Sequence, residues 1–173
     1  KFYNFDKAVI ACGAFSKKLT DQVNEKIPLD TERGYHVHFK GCDHLLSRPV
    51  IFLNRGFGIT PMEQGLRVVG TVEFGGLKNP PSKKRILNLV NNAKYIFPEL
   101  TEHHDEWLGF RPSLPDFLPV MGPSKNYKNL FYSFGHHHLG WTLGAISGKI
   151  IAGMIAEEDT NLDLSPYSSS RFS

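Results

Sequence analysis

Apolar residues occur along this chain in short blocks separated by glycine, proline and charged residues, a pattern typical of β-strands joined by turns. The block at residues 7–12 (KAVIAC) predicts a buried strand that runs into Gly13. Because almost nothing precedes this strand to cover it, we expect the chain to begin inside a domain. Blocks rich in β-branched and aromatic residues predict further strands at residues 35–39, 50–54, 57–60 and 66–74. The Arg55-Gly56 pair predicts a hairpin turn between the second and third of these.

A helical period appears in the middle of the chain. Ile86, Val90 and Ala93 recur on one face of a helix predicted at residues 82–97, and Pro98 ends it. A single helical turn is also predicted earlier in the chain, at residues 16–22.

The C-terminal part of the chain predicts strands at residues 102–111 and 129–134, joined by a turn-rich connector that four prolines keep extended. Residues 141–157 predict a buried helix whose core positions are Leu143, Ile146, Ile150 and Met154. The polar residues 165–173 predict a loosely held tail. Together these elements indicate an α+β fold with a mixed, largely antiparallel sheet and a long helix.

Composition narrows the class of protein. Hydrophobic residues make up 40% and charged residues 21% of the 173 residues, which suffices for a packed core and excludes a disordered chain. The net charge is only +3 and the basic residues are scattered, so we expect no nucleic acid partner. The longest apolar stretch is shorter than the ~20 residues of a membrane span, so no transmembrane segment is expected. Cys12 and Cys42 form no motif and indicate a reducing compartment.

Glycines mark the most informative local feature. A strand leads into the loop 135–140, and the following helix carries Gly140, Gly144 and Gly148 on one face because residues four apart lie above one another. This bare face predicts a close neighbour. The helix N-terminus near Thr142 offers unpaired N–H groups that suit an anion, or a reducible ring that becomes anionic. Tight packing of the helix on a sheet is the alternative explanation of the same spacing.

Histidines raise the question of a metal site. His136, His137 and His138 are consecutive, His36 and His38 share one strand face, and His103 and His104 are adjacent. No carboxylate or cysteine stands at a matching helical spacing, and adjacent histidines point in different directions. We therefore predict no bound metal.

Arg111 precedes Pro112 at the end of a predicted strand. A guanidinium held there by rigid backbone could bind a carboxylate through two parallel hydrogen bonds. From spacing alone, a structural ion pair with Asp116 explains the same residue equally well.

Taken together, several segments of this sequence resemble the C-terminal half of the FAD-dependent D-amino acid oxidase/dehydrogenase family, in particular its bacterial D-amino acid dehydrogenase-like branch. They keep the family's order over nearly the whole chain. The segments are VIACGAFS (9–16), RGYHV (33–37), ITPMEQGLRVVGTVEFGG (59–76), FPEL (97–100), WLGFRPSLPDFLPVMGPS (107–124) and YSFGHHHLGWTLGAISGKIIAGMI (132–155).

The resemblance implies two domains built from discontinuous segments. Residues 1–30 would be the end of a Rossmann-like FAD-binding domain, residues 31–107 the substrate-binding domain, residues 108–160 the return into the FAD-binding domain and residues 161–173 a tail. The GxGxxG turn and the ribose-binding acid of the family are absent from this sequence. A missing N-terminal Rossmann segment is therefore an expected partner of this chain.

The resemblance also implies the site residues. Arg111 would bind the substrate carboxylate, with His36, Thr60 and His138 also in the substrate site. The residues expected along FAD are Gly13, Ala14, Gly135, His136, His138, Leu139, Gly140, Trp141 and Thr142. His137 departs from the family, which more often has glycine there, and its Cβ would crowd the loop.

The activity implied by the resemblance is hydride transfer from the α-carbon of a D-amino acid to the flavin, giving an imine and then a 2-oxo acid. No general base is needed when the amine is bound neutral. The alternative is a truncated, FAD-free fragment that acts as a structural or ligand-binding module. The expected location is the cytoplasm, with peripheral association with the inner membrane as the alternative. The amino acid, the electron acceptor and the oligomeric state stay open.

Overall fold

A computed structural model describes residues 2–172, which divide into two compact units. Unit 1 contains the described residues up to Thr31 together with those from Arg111 onwards, and unit 2 contains residues 32–110. The regular elements in chain order are β1 (Ala8–Ile10), α1 (Lys17–Gln22), β2 (Asp30–Phe39), β3 (Val50–Phe52), β4 (Phe57–Met62), β5 (Gly65–Phe74), α2 (Lys83–Ile96), β6 (His103–Ser113), β7 (Val120–Pro123), β8 (Leu130–Phe134) and α3 (Gly140–Ile155).

Unit 2 is built on a five-stranded sheet in the order β3-β4-β5-β2-β6, in which the pairs β3–β4, β4–β5 and β2–β5 are antiparallel. Helix α2 packs on one face of this sheet. Its buried residues are Ile86, Leu89, Val90 and Ala93. Across from them, Val37, Phe39, Ile59, Leu66 and Val68 complete the core. Alternation of side chains along each strand sends the intervening residues to the opposite face.

The predicted hairpin around Arg55-Gly56 is confirmed. Strand β3 ends at Phe52, a short 3-10 turn spans Leu53–Arg55, and Gly56 adopts a left-handed conformation with φ of +67°. Glycine takes this backbone conformation without steric cost, which lets β4 return directly along β3.

Unit 1 contains a three-stranded sheet in the order β1-β8-β7, with β1 parallel and β7 antiparallel to β8. The strand predicted at residues 7–12 is present but shorter, and of its three residues only Ile10 is buried. Strand β7 lies within the stretch predicted as a connector, so that prediction is wrong there. Its prolines stand before and at the end of an edge strand, where a missing N–H costs little.

Helix α3 is confirmed in position, but the prediction that it is buried is wrong. Trp141 is fully exposed and Ile146 is 48% exposed, whereas Ser147 and Ile151 are buried. The reason is that α3 packs along one side only, where Ile151 joins Met121 and Phe131 of the sheet. Apolar residues that recur at helical spacing show that a helix has an apolar face, but they do not show on how many sides other elements pack against it.

The C-terminal tail is packed rather than loose, which corrects the sequence prediction. Ser169 is buried and its hydroxyl donates a 3.1 Å hydrogen bond to the Glu25 carboxylate. Arg171 forms a 2.6 Å ion pair with Asp116. These contacts hold the tail through polar side chains, which hydropathy does not register. Within residues 2–172, no helix combines the length and the apolar run required to cross a bilayer.

Candidate functional site

An open cleft of about 540 Å³ lies in unit 1 between the sheet, the loop 135–140 and the glycine-bearing face of α3. We call it the α3 cleft. It is within the volume range of small-molecule sites. Its lining includes Val9, Gly13, Pro112, Gly135, His136, His137, Gly140, Gly144, Ser147, Gly148 and Ile151.

The glycine face of α3 is open along the cleft. A Cβ placed on Gly144 or Gly148 would meet no atom within 4 Å, and one on Gly140 would only touch the Cβ of His136 at 3.6 Å. The predicted close neighbour of Gly144 and Gly148 is therefore not present among residues 2–172, and tight helix-on-sheet packing does not explain these glycines. Their effect is to leave one helix surface flat and accessible to a ligand.

The N-terminus of α3 borders the same cleft. The helix begins at Gly140 after Leu139, and no side chain caps its first turn. The first N–H groups of a helix have no partner within the helix and carry a partial positive charge. The cleft therefore combines a flat glycine surface with N–H donors that suit an electron-rich ligand group.

His136 connects the loop to the helix. Its ring nitrogen Nε2 lies 3.0 Å from the Ser147 hydroxyl, and Ser147 is buried on α3. Burial lowers the pKa of His136. We therefore expect a neutral imidazole here, which orients the loop without adding a positive charge to the cleft.

His137 adopts a backbone conformation that favours glycine, with φ of +52°. Its N–H donates a 3.0 Å hydrogen bond to the carbonyl of Pro112, and its ring nitrogen Nε2 accepts a 3.1 Å bond from the N–H of Leu114. The ring of Phe117 covers it at a centroid distance of 4.9 Å. The histidine thus bonds the loop to the residues that follow Arg111.

Arg111 is half-buried near the end of β6. Asp116, which spacing made a candidate partner of Arg111, is bound by Arg171 through two nitrogens at 2.6 and 3.3 Å. The hydrogen bond from Arg171 lowers the pKa of Asp116. Sequence reasoning missed Arg171 because nothing in a local pattern connects the last residues of the chain with the turn after Arg111.

In unit 2, the sheet surface opposite α2 carries two of the other predicted substrate residues, His36 and Thr60. His36 and His38 share this face as predicted, with ring centroids 5.0 Å apart. Trp107 stacks on His36 at 4.9 Å and His104 stacks on His38 at 5.7 Å. We call this surface, with Thr60 and Arg67 on the neighbouring strands, the histidine face. Burial and the nearby Arg67 lower the pKa of His36 to about 4.

A backbone irregularity places His104 and Trp107 on the same face. Residues three apart on a regular strand point to opposite faces. Asp105, between them, has φ of +51°, which interrupts the alternation. Sequence reasoning missed this pairing, because the only signal is an aspartate in a strand-like segment, a residue type enriched at left-handed positions.

The predicted cofactor residues separate into two groups. Gly13, Gly135, His136 and Gly140 line the α3 cleft. Ala14 is buried, while His138, Leu139, Trp141 and Thr142 are exposed residues outside the lining. As for metals, the described part of the chain holds no group of three or more His, Cys, Asp or Glu side chains arranged for an ion.

Comparison with known proteins assigns the chain to a family. Residues 1–154 match the model of the family described as FAD dependent oxidoreductase. The chain belongs to this family. The resemblance inferred from the sequence is thereby confirmed, and the α+β fold class with a mixed, largely antiparallel sheet is confirmed as well.

Curated relatives have related names. The chain is 35% identical over 172 residues to a D-amino-acid oxidase of Bradyrhizobium diazoefficiens, covering 96% of this chain and 41% of that protein. It is 30% identical over 171 residues to a D-amino acid dehydrogenase of Granulibacter bethesdensis, covering 96% of this chain and 41% of that protein. The chain thus spans about two fifths of the length of these relatives.

A solved structure shares the fold. The glycine oxidase of Geobacillus kaustophilus superposes with a TM-score of 0.86 at 26% identity, over 98% of this chain and 46% of that protein.

Proposed function

We propose that this chain forms part of an FAD-dependent oxidoreductase that oxidises the C–N bond of a D-amino acid. The observation that carries the proposal is the α3 cleft, where an open glycine face meets the N-terminus of α3. The curated relatives named D-amino-acid oxidase and D-amino acid dehydrogenase support this substrate class.

The cleft residues fit a flat, electron-rich group. The open surface over Gly144 and Gly148 would be filled by any side chain, and Gly13 leaves space at the end of β1. The residues that would hold FAD are Gly13, Gly135, His136 and Gly140, with the first N–H groups of α3 as donors. When bound, FAD supplies the hydride acceptor of the reaction. A neutral His136 leaves the helix N-terminus as the positive end facing the cofactor.

Arg111 is proposed to bind the α-carboxylate of the substrate. Arg111 lies in β6 directly before Pro112, so its backbone has little freedom to move. A guanidinium that binds a carboxylate through two parallel hydrogen bonds requires such a fixed position. His138, His36 and Thr60 are proposed as further substrate contacts. His36 is suited to a neutral role, because burial and Arg67 bring its pKa to about 4. A substrate amine that binds neutral needs no base from the protein.

The proposed domain roles follow the same reasoning. Residues 1–30 and 108–160 are proposed as FAD-binding segments, and residues 161–173 as a tail. Residues 31–107 are proposed as the substrate-binding domain. The division of the chain after Thr31 and after Phe110 supports this assignment.

The test is anaerobic flavin reduction in the FAD-loaded protein. We expect a flavin absorption band near ~450 nm that D-amino acids bleach. Replacing Arg111 by lysine is expected to lower kcat/KM by about 2–4 kcal/mol of transition-state stabilisation at unchanged FAD content, because an ammonium cannot pair with both carboxylate oxygens. Arg48→Lys, at an exposed position, is the matched control. If the intact protein that contains this chain binds no FAD, or if no amino acid bleaches its flavin, the proposal is refuted and a structural or ligand-binding module is favoured.

A further inference from the structure

Ser147 places a hydroxyl in the glycine face of α3. It lies between Gly144 and Gly148 in the lining of the α3 cleft and is 3% exposed. Nε2 of His136, in the loop 135–140, lies 3.0 Å from this hydroxyl. His136 lines the same cleft. The pair therefore connects the helix to the loop within the wall of one cleft of unit 1.

The surroundings of Ser147 decide which of the two residues donates. Within residues 2–172 the Ser147 hydroxyl has no hydrogen bond besides the one to His136. It does not bond to the carbonyl of Leu143, one turn earlier, which is a common acceptor for a serine in a helix. If Nε2 of His136 donated, the buried O–H of Ser147 would be left without an acceptor, which is costly. Ser147 therefore donates and Nε2 accepts.

This direction fixes the tautomer of His136. Burial lowers the pKa of His136, so the imidazole is neutral at neutral pH and holds one proton. Because Nε2 accepts, that proton is on Nδ1. Within residues 2–172 Nδ1 has no hydrogen bond, and the protein does not fully enclose it. His136 therefore has an N–H donor that is available to a ligand.

We infer that Ser147 is a positioning residue, which by donating to Nε2 holds His136 as an N–H donor for an acceptor atom of bound FAD. The inference rests on the proposed function, which places FAD in the α3 cleft. The edge of a flavin ring carries oxygen and nitrogen acceptors, and hydrogen bonds to them tune its reduction potential. The opposite tautomer would turn a lone pair of Nδ1 towards these acceptors, which is repulsive.

Loss of the Ser147 hydroxyl should lower the reduction potential of the bound flavin. Reduction adds electron density to the ring, and a hydrogen bond donated to a more negative acceptor is stronger. In Ser147→Ala nothing holds the proton on Nδ1, so His136 populates both tautomers. The reduction equilibrium should shift towards oxidised FAD by roughly 3- to 10-fold, the effect of one neutral hydrogen bond. A tenfold shift corresponds to about 30 mV for a two-electron couple.

Two measurements on the intact protein that contains this chain test the inference. NMR of the histidine ring nitrogens reports the tautomer, and His136→Leu identifies the signals of His136. We expect the proton on Nδ1 in the wild type and a mixture in Ser147→Ala. The second measurement is the midpoint potential of bound FAD, which should fall in Ser147→Ala. Ser169→Ala is the matched control, because it removes a buried hydroxyl that bonds to Glu25 outside the cleft lining. It should change neither quantity.

A double variant separates an effect through His136 from a direct contact between Ser147 and FAD. His136→Leu should lower the potential by itself, and adding Ser147→Ala should lower it no further, because Ser147 acts through His136. Additive shifts would overturn the inference. A proton on Nε2 in the wild type, an unchanged tautomer in Ser147→Ala, or equal potentials of wild type and Ser147→Ala would overturn it as well.

Failure of the proposed function gives a different result. If the potential of bound FAD depends on Ser147 but no amino acid bleaches the flavin, the substrate class is wrong and the inference stands. If amino acids bleach the flavin and its potential does not depend on Ser147, the inference is wrong and the proposed function stands. An intact protein that binds no FAD would refute both.

Discussion

The ring of His137 accepts a hydrogen bond from the backbone N–H of Leu114, three residues after Arg111. With the bond from the His137 N–H to the Pro112 carbonyl, it fixes the loop 135–140 to the end of the strand that carries Arg111. The two parts of the proposed site in unit 1, the cleft loop and the arginine, are therefore positioned by one residue. A glycine at this position could supply the backbone bond only.

Replacing His137 by alanine is expected to destabilise the protein by about 1–3 kcal/mol, because the buried N–H of Leu114 loses its acceptor. His137→Gly loses the same bond but relieves the left-handed backbone strain. It should therefore lose about 1 kcal/mol less stability than His137→Ala. Urea unfolding of both variants measures the difference. Equal stabilities of wild type and His137→Ala would show that the ring bond contributes nothing.

Glu25 is expected to make stability depend on pH. The residue is 1% exposed, and its carboxylate accepts hydrogen bonds from Ser124, Ser169 and the N–H of Asn126. Burial raises its pKa, but these bonds outweigh burial and lower the pKa below the ordinary value of 4.5. The contribution of Glu25 to stability is therefore complete well above that value and is lost as the pH falls through the lowered pKa.

Glu25→Gln tests this dependence. At about pH 7 the variant should be less stable than the wild type by roughly 1–3 kcal/mol, and this difference should shrink as the pH falls below the ordinary value of 4.5. Urea unfolding across this range gives the two curves. Glu102→Gln, at an exposed position, serves as the control. A difference in the free energy of unfolding between wild type and Glu25→Gln that stays constant with pH would show that Glu25 does not cause the pH dependence.

Gly148→Leu is expected to block the α3 cleft without loss of stability. No atom within 4 Å opposes a Cβ at Gly148, and leucine favours a helix by about 0.8 kcal/mol or more over glycine. Thermal unfolding should show an equal or higher Tm, while the FAD content of the purified protein falls. Gly153→Ala, on α3 but outside the cleft lining, should keep its FAD. A lower Tm in Gly148→Leu would indicate overpacking instead.

Arg33 is expected to be the most sensitive charged residue of unit 2. It is fully buried, donates to the carbonyls of Pro80 and Gly75, and pairs with Glu73 at 3.2 Å. Arg33→Met should lower the free energy of unfolding by about 3 kcal/mol or more, because Glu73 loses its buried cation and two backbone carbonyls lose their donor. Arg85→Met, which removes a more exposed partner of Glu73, should cost about 1 kcal/mol or less. Urea unfolding that ranks the two variants in the reverse order would refute this.

Most regular elements could be predicted from local periodicity, because the strands of unit 2 alternate and the apolar face of α2 recurs from Ile86 to Ala93. Strand β7 could not, since its flanking prolines are equally compatible with a connector. The spacing of the glycines on α3 is visible in the sequence, but whether another element packs against that helix face depends on the tertiary structure.

The site residues that sequence reasoning missed depend on long-range or irregular geometry. Arg171 reaches Asp116 across most of the C-terminal half of the chain. Arg67 joins His38 and Thr60 only through the register of three strands, and His104 joins them through a backbone irregularity at Asp105. Local patterns carry no information on register, so these groupings need the assembled sheet.

The parallel pairing of β1 with β8 also determines an order of events during synthesis. All of unit 2 lies between these two strands in the chain, so β1 leaves the ribosome long before the strand that completes its sheet. Unit 2 is continuous and can complete its contacts first, which shortens the loop that must close to bring β1 and β8 together. A change that slows the folding of unit 2 will therefore also delay the pairing of β1 with β8.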